Sequence, residues 1–273
     1  MSSQPLVAAV MVTGKDPSRI PLAEAAIQSF QDQTYENKIL IVVNDGDGLF
    51  DNWEVETIGQ LSPLPAKVDA IDTLSHRVIH VRVQPGQSLG KLRNIGLKVS
   101  ELQRADFVIQ WDDDDFYHKH RIEYQIAGSA VGYCTLLKNQ IRYDMVNNNA
   151  FNFRWKYDNC PGIPGTILHP LKPTQYYADQ RKGEDETFID QHFHNRCIVL
   201  DNLVNPQLYV RLVHGSNTWD THHIMQKMPG FGLCRNTWHL TREQAHYLNG
   251  VLDWHYNLGE RVLDATIHEP AAS

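Results

Sequence analysis

Phe107-Val108-Ile109-Gln110-Trp111 runs straight into Asp112-Asp113-Asp114-Asp115, and that junction decides how the chain is read. The first five residues are a short, mostly apolar run of the kind that forms a strand buried in a parallel sheet. The next four crowd ionisable carboxylates, and neighbours about 4 Å apart repel by roughly 4 kcal/mol at an effective dielectric near 20. A fold tolerates such crowding when the group faces water, shifts its pKa values or holds a cation. Delivery by a buried strand to one edge of a sheet favours the cation. Alternation along an extended chain sets Asp112 and Asp114 on one face and Asp113 and Asp115 on the other. Hard oxygen ligands of this kind suit Mg2+ or Mn2+, ions that bridge to phosphate oxygens. The simpler reading is a solvated acidic turn capping a helix that starts near Phe116.

Working outward, Leu6 to Val12 is continuously apolar and reads as a buried parallel strand. A turn follows at Thr13-Gly14-Lys15-Asp16-Pro17. A helix is expected from Pro21 to Gln33, with Leu22, Ala25, Ala26, Ser29 and Phe30 at helical spacing. Lys38 to Val43 is a second buried strand ending in Asn44-Asp45-Gly46, so the segment is a right-handed βαβ unit. Leu49 to Ser75 shows little periodicity and contains Pro63 and Pro65, which predicts an inserted loop with at most a short helix. Val78 to Val83 is a third strand, Gly86 to Gly90 a turn, and Lys91 to Gln103 a helix with Leu92, Ile95, Gly96 and Val99 on one face. Ligands of open α/β sheets sit beyond the carboxyl ends of strands. Lys15-Asp16, Asn44-Asp45 and Asp112 to Asp115 all follow strands, and their convergence is a second argument for a site. Downstream, Tyr133 to Tyr143 reads as a strand pair or one long strand, and Gly165 to His169 and Leu208 to Val213 as strands. Gly183 to Phe193 reads as a helix, and a last helix runs from Thr241, paired with Gln244 in a capping box, through Leu263. Glu269 to Ser273 are expected to fray.

Composition narrows the class. Of 273 residues, 42% are hydrophobic and 21% charged, enough for a full core. A net charge of -7 gives no general attraction to nucleic acid, although a local basic groove is compatible with it. The four cysteines (Cys134, Cys160, Cys197 and Cys234) form no CxxC pair, which points away from a disulfide framework or structural zinc and towards reduced thiols. No secretory leader and no apolar run long enough to span a bilayer are visible, so a soluble, cytoplasmic protein is expected.

Three segments in order carry a resemblance: Val10 to Gly46 (VMVTGKDPSRIPLAEAAIQSFQDQTYENKILIVVNDG), Gly86 to Leu97 (GQSLGKLRNIGL) and Phe107 to Gln125 (FVIQWDDDDFYHKHRIEYQ). Gly165-Thr166, Gly183-Glu184-Asp185, Phe188 and His214-Gly215-Ser216-Asn217 extend it. Together they resemble a family 2 glycosyltransferase with the GT-A fold. The fold this implies is α/β: a Rossmann-like, mostly parallel central sheet flanked by helices, with a smaller mixed acceptor-side region and C-terminal helices. The implied division is a nucleotide-sugar-binding half over 1–130, an acceptor and catalytic-base half over 131–240, and a helical extension over 241–273.

The resemblance also assigns roles. Asp45 matches the aspartate that binds the donor's base or ribose; its alternative is to cap the tight Asp-Gly turn. Arg93, with Lys91 sharing the duty or lying in solvent, matches a residue near the donor diphosphate, where a helix N-terminus adds attraction for anions. The DxD falls on Asp112 and Asp114. Asp114 is the main metal ligand, and Asp112 holds the ribose or joins the metal through water. Thr13 and Asp113 complete the expected donor-binding set, Asp113 without a specific role. Asp115 organises the loop or the helix cap. His214 matches a position that supplies a further metal ligand in some such enzymes, and imidazole suits Mn2+ better than Mg2+. Asp185 is the expected catalytic base, with Glu184 as substitute; the alternative is a pair of acids favoured at a helix N-terminus. Thr166 borders the acceptor pocket, where Trp155, Tyr157 and Trp219 are candidates for stacking on an acceptor or for the core. His192, His194, His222 and His223 match no metal spacing.

The implied activity is metal-dependent, inverting transfer from a nucleoside-diphosphate sugar, with UDP the expected nucleotide and Mn2+ or Mg2+ as cofactor. The acceptor is open: a glycan, a lipid-linked glycan, a protein or a modified base. Two other classes compete. A metal-dependent nucleotidyltransferase shares the sheet and the acids, but its first loop is usually richer in glycine and basic residues than Thr13-Gly14-Lys15-Asp16. A non-catalytic nucleotide- or glycan-binding protein would have no use for a base at Asp185.

Overall fold

The parallel heart of the molecule follows from the apolar runs. The computed structural model describes residues 4–14, 16–46, 56–61, 66–73, 76–156, 160–214, 217 and 237–256. Strands β1 (Val7–Gly14), β2 (Lys38–Asp45), β5 (His76–Val83) and β6 (Phe107–Asp112) pair in parallel in the order β6-β1-β2-β5. β1 and β2 are buried almost throughout, which is why they read as unbroken apolar runs rather than alternating ones. Helix α1 (Ile20–Gln31) buries Leu22, Ala23, Ala26, Ile27 and Phe30. Helix α2 (Leu89–Leu102) buries Leu92, Ile95 and Val99, and its Gly96 lies against Val10. A Cβ on Gly90 would come within 1.8 Å of the Ala178 carbonyl oxygen, so only glycine fits there.

The sheet extends to nine strands in the order β12-β8-β11-β6-β1-β2-β5-β4-β3. On one side the additions are β3 (Glu56–Leu61) and β4 (Ala66–Thr73), an antiparallel hairpin that continues from β5. The loop expected over 49–75 is therefore a sheet extension over these described stretches. An edge hairpin need not alternate strongly, which hid it from periodicity. On the other side stand β8 (Cys134–Leu137), β11 (Leu168–Pro170) and β12 (Cys197–Leu200). The segment 133–143 does not form one strand or a simple pair: β8 joins this sheet and β9 (Asn139–Asp144) a second one. Cys134 and Cys197, far apart in sequence, are register partners whose Sγ atoms lie 3.1 Å apart as free thiols.

The second sheet has the order β14-β10-β9-β13-β7, with β7 (Asp115–Tyr117), β10 (Asn149–Arg154), β13 (Tyr209–Val213) and β14 (Thr237–Trp238). It obeys the two-residue period of a strand with two different faces. Phe116, Ile141, Tyr143, Ala150, Val210 and Leu212 pack against Leu22 of α1 and against Leu240, Ala245 and Leu248 at the C-terminal helix α5 (Arg242–Tyr256). The Thr241 and Gln244 side chains cap α5 reciprocally, at 3.2 and 3.0 Å. The helix expected to start near Phe116 begins later, as α3 (Arg121–Ala127), because Phe116 is taken into β7. Helix α4 (Glu184–Phe193) starts after Gly183, whose φ of 71° suits glycine. The large sheet takes strands from both halves of the chain, and the small one includes β7 from the first half. No described helix is long and apolar enough to cross a membrane.

Candidate active site

Strand order reverses beside β1: the chain goes to β2 on one side and returns to β6 on the other. At such a switch point the loops part and leave a crevice beyond the strand ends. Here Gly14 lies opposite Asp45, and Val12 opposite Asp112. A cavity of about 610 Å³ opens there, with Thr13, Asp45, Arg93 and Asp112 to Asp114 in its wall. Glu184, Asp185 and Glu186, the first turn of α4, close it from another side.

The four aspartates do not alternate. The chain turns at Asp113 and Asp114, so each carboxylate meets a different environment. Asp112 accepts from Arg93 Nη2 at 2.8 Å and from Gln110 Nε2 at 3.1 Å. Asp113 is bound by the Arg19 guanidinium, which also reaches Asp114 at 3.0 Å. Burial and the neighbouring Asp114 push the Asp113 carboxyl up to about 6 even so. Burial would raise Asp114 too, but the hydrogen bond with His214 and the Arg19 charge prevail and hold it down at about 2. Asp115 turns inward, accepting from the Tyr209 hydroxyl and from Leu212 N at 3.0 Å. Burial, then the Asp114 charge, drive its carboxyl well above the ordinary range. It ties the loop to β13 rather than capping a helix.

Behind the cluster, Trp111 Nε1 donates to the Ala26 carbonyl at 2.9 Å and its ring packs on Tyr117. Arg121, fully buried, lies over Trp111 and Tyr117 at 5.1 and 4.4 Å and donates to the Gln110 carbonyl at 3.1 Å. These contacts fix the end of β6 and hence the direction of its acids.

Arg93 is 4% exposed and bridges Asp112 and Glu184, its Nε donating to Glu184 at 3.0 Å. Glu184 is thereby occupied as a counter-ion of Arg93. Asp185 accepts from the backbone N–H of Glu186 at 2.8 Å. Burial, then the Glu184 charge, push its carboxyl up to about 7, a value that suits proton transfer near neutral pH.

Lys91 is displaced from the expected set. Two residues from Arg93 on α2, it lies about 200° round the helix and pairs with Asp179 at 3.1 Å on the surface, outside the cavity wall. Asp45 lines the cavity and also accepts from Gly86 N and Gln87 N at 3.2 and 3.3 Å, holding the turn before α2. His214 touches Asp114 at 3.2 Å but is not itself in the wall, whereas Asn217 is, donating to Asp114 at 3.3 Å. Gly165 does reach the cavity, its Cα so placed that a Cβ would lie 3.3 Å from Asp112 Oδ2. Thr166 is buried behind it, donating to the Ile163 carbonyl at 2.6 Å and accepting from Leu137 N at 2.9 Å, so it braces the wall. Trp155 lines the cavity with its Nε1 on the Cys160 carbonyl at 2.7 Å. His192 and His194 bond to Tyr176 and Asp190 near the surface. Tyr157, Gly215, Ser216, Trp219, His222, His223 and the helix end beyond 256 lie outside the described residues.

Among the described residues no three His, Cys, Asp or Glu side chains converge as a ready ligand set. The Asp114 and His214 pair nevertheless fits a divalent ion, because Mg2+ and Mn2+ commonly take one or two protein ligands and complete their shells with phosphate and water. Sequence reasoning missed Arg19, Arg142, Arg181, Lys182 and Arg211, all in the cavity wall.

No family model matches the chain, and no curated protein does. Solved structures do. S. aureus TarS 1-349 in complex with UDP aligns with TM-score 0.51 and 14% identity over 93% of this chain and 73% of that one. The same TarS fragment alone aligns at 0.50 and 15% over 76% and 60%. The mannosyltransferase PcManGT from Pyrobaculum calidifontis, in complex with GDP-Man and Mn2+, aligns at 0.51 and 9% over 80% and 59%. The chain has the GT-A glycosyltransferase fold. It spans about three-fifths of the TarS 1-349 and PcManGT chains in the latter two alignments, and identities this low carry the fold and no more.

Proposed function

We propose that the chain is an inverting, metal-dependent glycosyltransferase of the family 2 type that moves a sugar from a nucleoside diphosphate to an acceptor hydroxyl. One observation carries the reading. The cavity that holds the acids at the end of β6 also holds Asp185, a carboxyl raised to about 7 by burial and by Glu184, the acid that Arg93 bonds. A nucleotidyltransferase or a passive binding protein has no need of that second, differently tuned acid.

In this reading the nucleoside lies against Thr13 and Asp45, with UDP the favoured base because TarS was solved with UDP and UDP-GlcNAc, and GDP the competitor because PcManGT was solved with GDP-Man. Arg93 fixes Asp112 for the ribose. Asp114 and His214 would hold Mn2+ or Mg2+, which supplies counter-charge for the departing diphosphate. Arg19, already on Asp113 and Asp114, neutralises the acids and stands ready to donate to phosphate oxygens. Asp185 takes the acceptor proton as the oxygen attacks the anomeric carbon opposite the leaving group, and one displacement inverts that carbon. The residues of 131–240 that reach the cavity from β9, β13 and α4 form the acceptor side.

The test is slow hydrolysis of UDP-sugars and GDP-sugars, with water as acceptor, followed by release of nucleoside diphosphate and by the configuration of the freed sugar. Release that requires Mn2+ or Mg2+, with inverted product, is expected. Release of pyrophosphate from a nucleoside triphosphate instead would favour the nucleotidyltransferase.

A further inference from the structure

Three free thiols are described, and two of them meet. Cys134 of β8 and Cys197 of β12 are register partners on adjacent parallel strands, and the Cys134 thiol donates to Cys197 Sγ at 3.1 Å. Strands paired in this way run about 4.8 Å apart, inside the Cα separation of roughly 4.4–6.8 Å that a disulfide spans. A bond can therefore close here by side-chain rotation, with the backbone left in register.

The two sulfurs are not equivalent. β12 is the outer strand of the large sheet, so Cys197 is half-buried and reachable from solvent, whereas Cys134 is 0% exposed. The hydrogen bond from Cys134, and after it the charge of Arg196, lower the Cys197 thiol from its ordinary range against the opposing pull of burial. Cys134 moves the other way, through donating that bond and through burial. The thiolate is the nucleophile, so Cys197 is the sulfur that attacks and Cys134 the one that resolves. Cys160 contrasts with both: burial pushes its thiol up to about 12. The pair also lies against α4. Cys134 shares an apolar cluster with Phe188, Ile189 and Phe193 of that helix, and Cys197 Sγ donates to the Phe193 carbonyl at 3.4 Å.

We propose that Cys134 and Cys197 form a redox-modification site, at which a low-molecular-weight disulfide such as oxidised glutathione joins the two thiols into one cross-strand bond. The Cys197 thiolate attacks one glutathione sulfur, breaks the small S–S bond and releases one glutathione thiolate. Cys134 then gives up its proton and attacks Cys197 Sγ, releasing the second glutathione thiolate. Two protein thiols are oxidised to one disulfide, and one small disulfide is reduced to two thiols, which take up the two protons lost. The bond ties β12, and with it the end of α4, to β8. This chemistry is independent of the reaction carried out in the cavity.

The experiment exposes native wild type to oxidised glutathione, caps it with iodoacetamide and maps the unreduced peptides by mass. The expected result is loss of the Cys134 and Cys197 thiols together, in one pair of peptides joined through them, reversed by dithiothreitol. In urea, where the strand register is gone, the same treatment should spread bonds over all four cysteines. In native Cys134→Ala glutathione should stay on Cys197, and in native Cys197→Ala Cys134 should keep its thiol. Iodoacetamide alone should cap Cys197 of the folded protein at least about tenfold faster than Cys160. Wild type that retains both thiols, that keeps glutathione on Cys197, or that links either cysteine to Cys160, to Cys234 or to a second copy overturns the site. If an alanine variant does not fold, the wild-type map decides by itself: the joined pair upholds the proposal, and any other product overturns it.

Discussion

The two walls of the cavity are built on different principles. One is the carboxyl edge of parallel strands, where Asp112, Asp113 and Asp114 arrive at a strand end and meet arginines from a neighbouring loop or helix. The other is the face of a small mixed sheet, where arginines arise by alternation and stand opposite one another. The edge wall is electrostatically closed within the protein: Arg93 is spanned by Asp112 and Glu184 at 2.8 and 3.0 Å. On the face wall Arg211 stands within the field of Asp115, Asp114 and Asp112, and its Nε has no hydrogen-bond partner among the described residues.

The sharpest way to break this contrast is Asp185→Asn. Nucleoside-diphosphate affinity should stay as in wild type while turnover falls by about 10²–10⁴-fold, the usual worth of a general base. The pH dependence follows. The folded carboxyl is pushed up to about 7, first by burial and then by Glu184, so the basic form grows as pH rises. Turnover should climb through about pH 7 and level off above it, with no such inflection in Asp185→Asn. For stability the sign is opposite: a raised acid favours the protonated fold, so its contribution is full below about 3.8 and is lost as pH rises through about 7. Asp185→Asn should therefore gain on wild type in urea melts above pH 7.

Arg93→Met tests whether the edge wall is closed. It strands Glu184 beside Asp112, and removing one partner of a buried pair costs about 3–5 kcal/mol. Adding Glu184→Gln should recover part of that loss in denaturant titrations; no recovery would mean that Arg93 acts by packing alone. Leu212→Ala probes the opposite face of the small sheet, which is packed on α1 and α5. A loss of about 3 kcal/mol is expected for a buried leucine, with nucleoside-diphosphate affinity unchanged. The smallest effect belongs to Lys91→Ala: its exposed pair with Asp179 should be worth under about 1 kcal/mol, with no change in nucleotide affinity.

The edge wall was legible and the face wall was not, for the same reason. Continuous apolar runs such as Leu40 to Val43 announce buried parallel strands, and the polar residues that end them fall where a switch point puts ligands. Asp45 and Asp112 to Asp114 were reached that way, Arg93, Glu184 and Asp185 only through the family resemblance, and all line the cavity. Arg142 and Arg211 sit in strands that alternate, and in an alternating strand a charged residue reads as facing water. Only the pairing of β9 with β13 turns the two into neighbours. The hairpin of β3 and β4 escaped because an edge needs no apolar pattern. Of the two readings of Asp115, loop or helix cap, the loop agrees with the structure, because Phe116 completes a strand that pairs with β13, a partner 94 residues away.

The most direct test of the account is nucleotide binding by calorimetry or thermal shift, with UDP, GDP, CDP, dTDP and ADP each in Mn2+, Mg2+ or EDTA, on wild type and Asp114→Ala. Ligand confined to the folded state raises the midpoint by mass action. The account predicts a shift with one diphosphate, UDP foremost, that requires the metal and vanishes in folded Asp114→Ala. No shift with any diphosphate, or a metal-dependent shift that survives in Asp114→Ala, would contradict it.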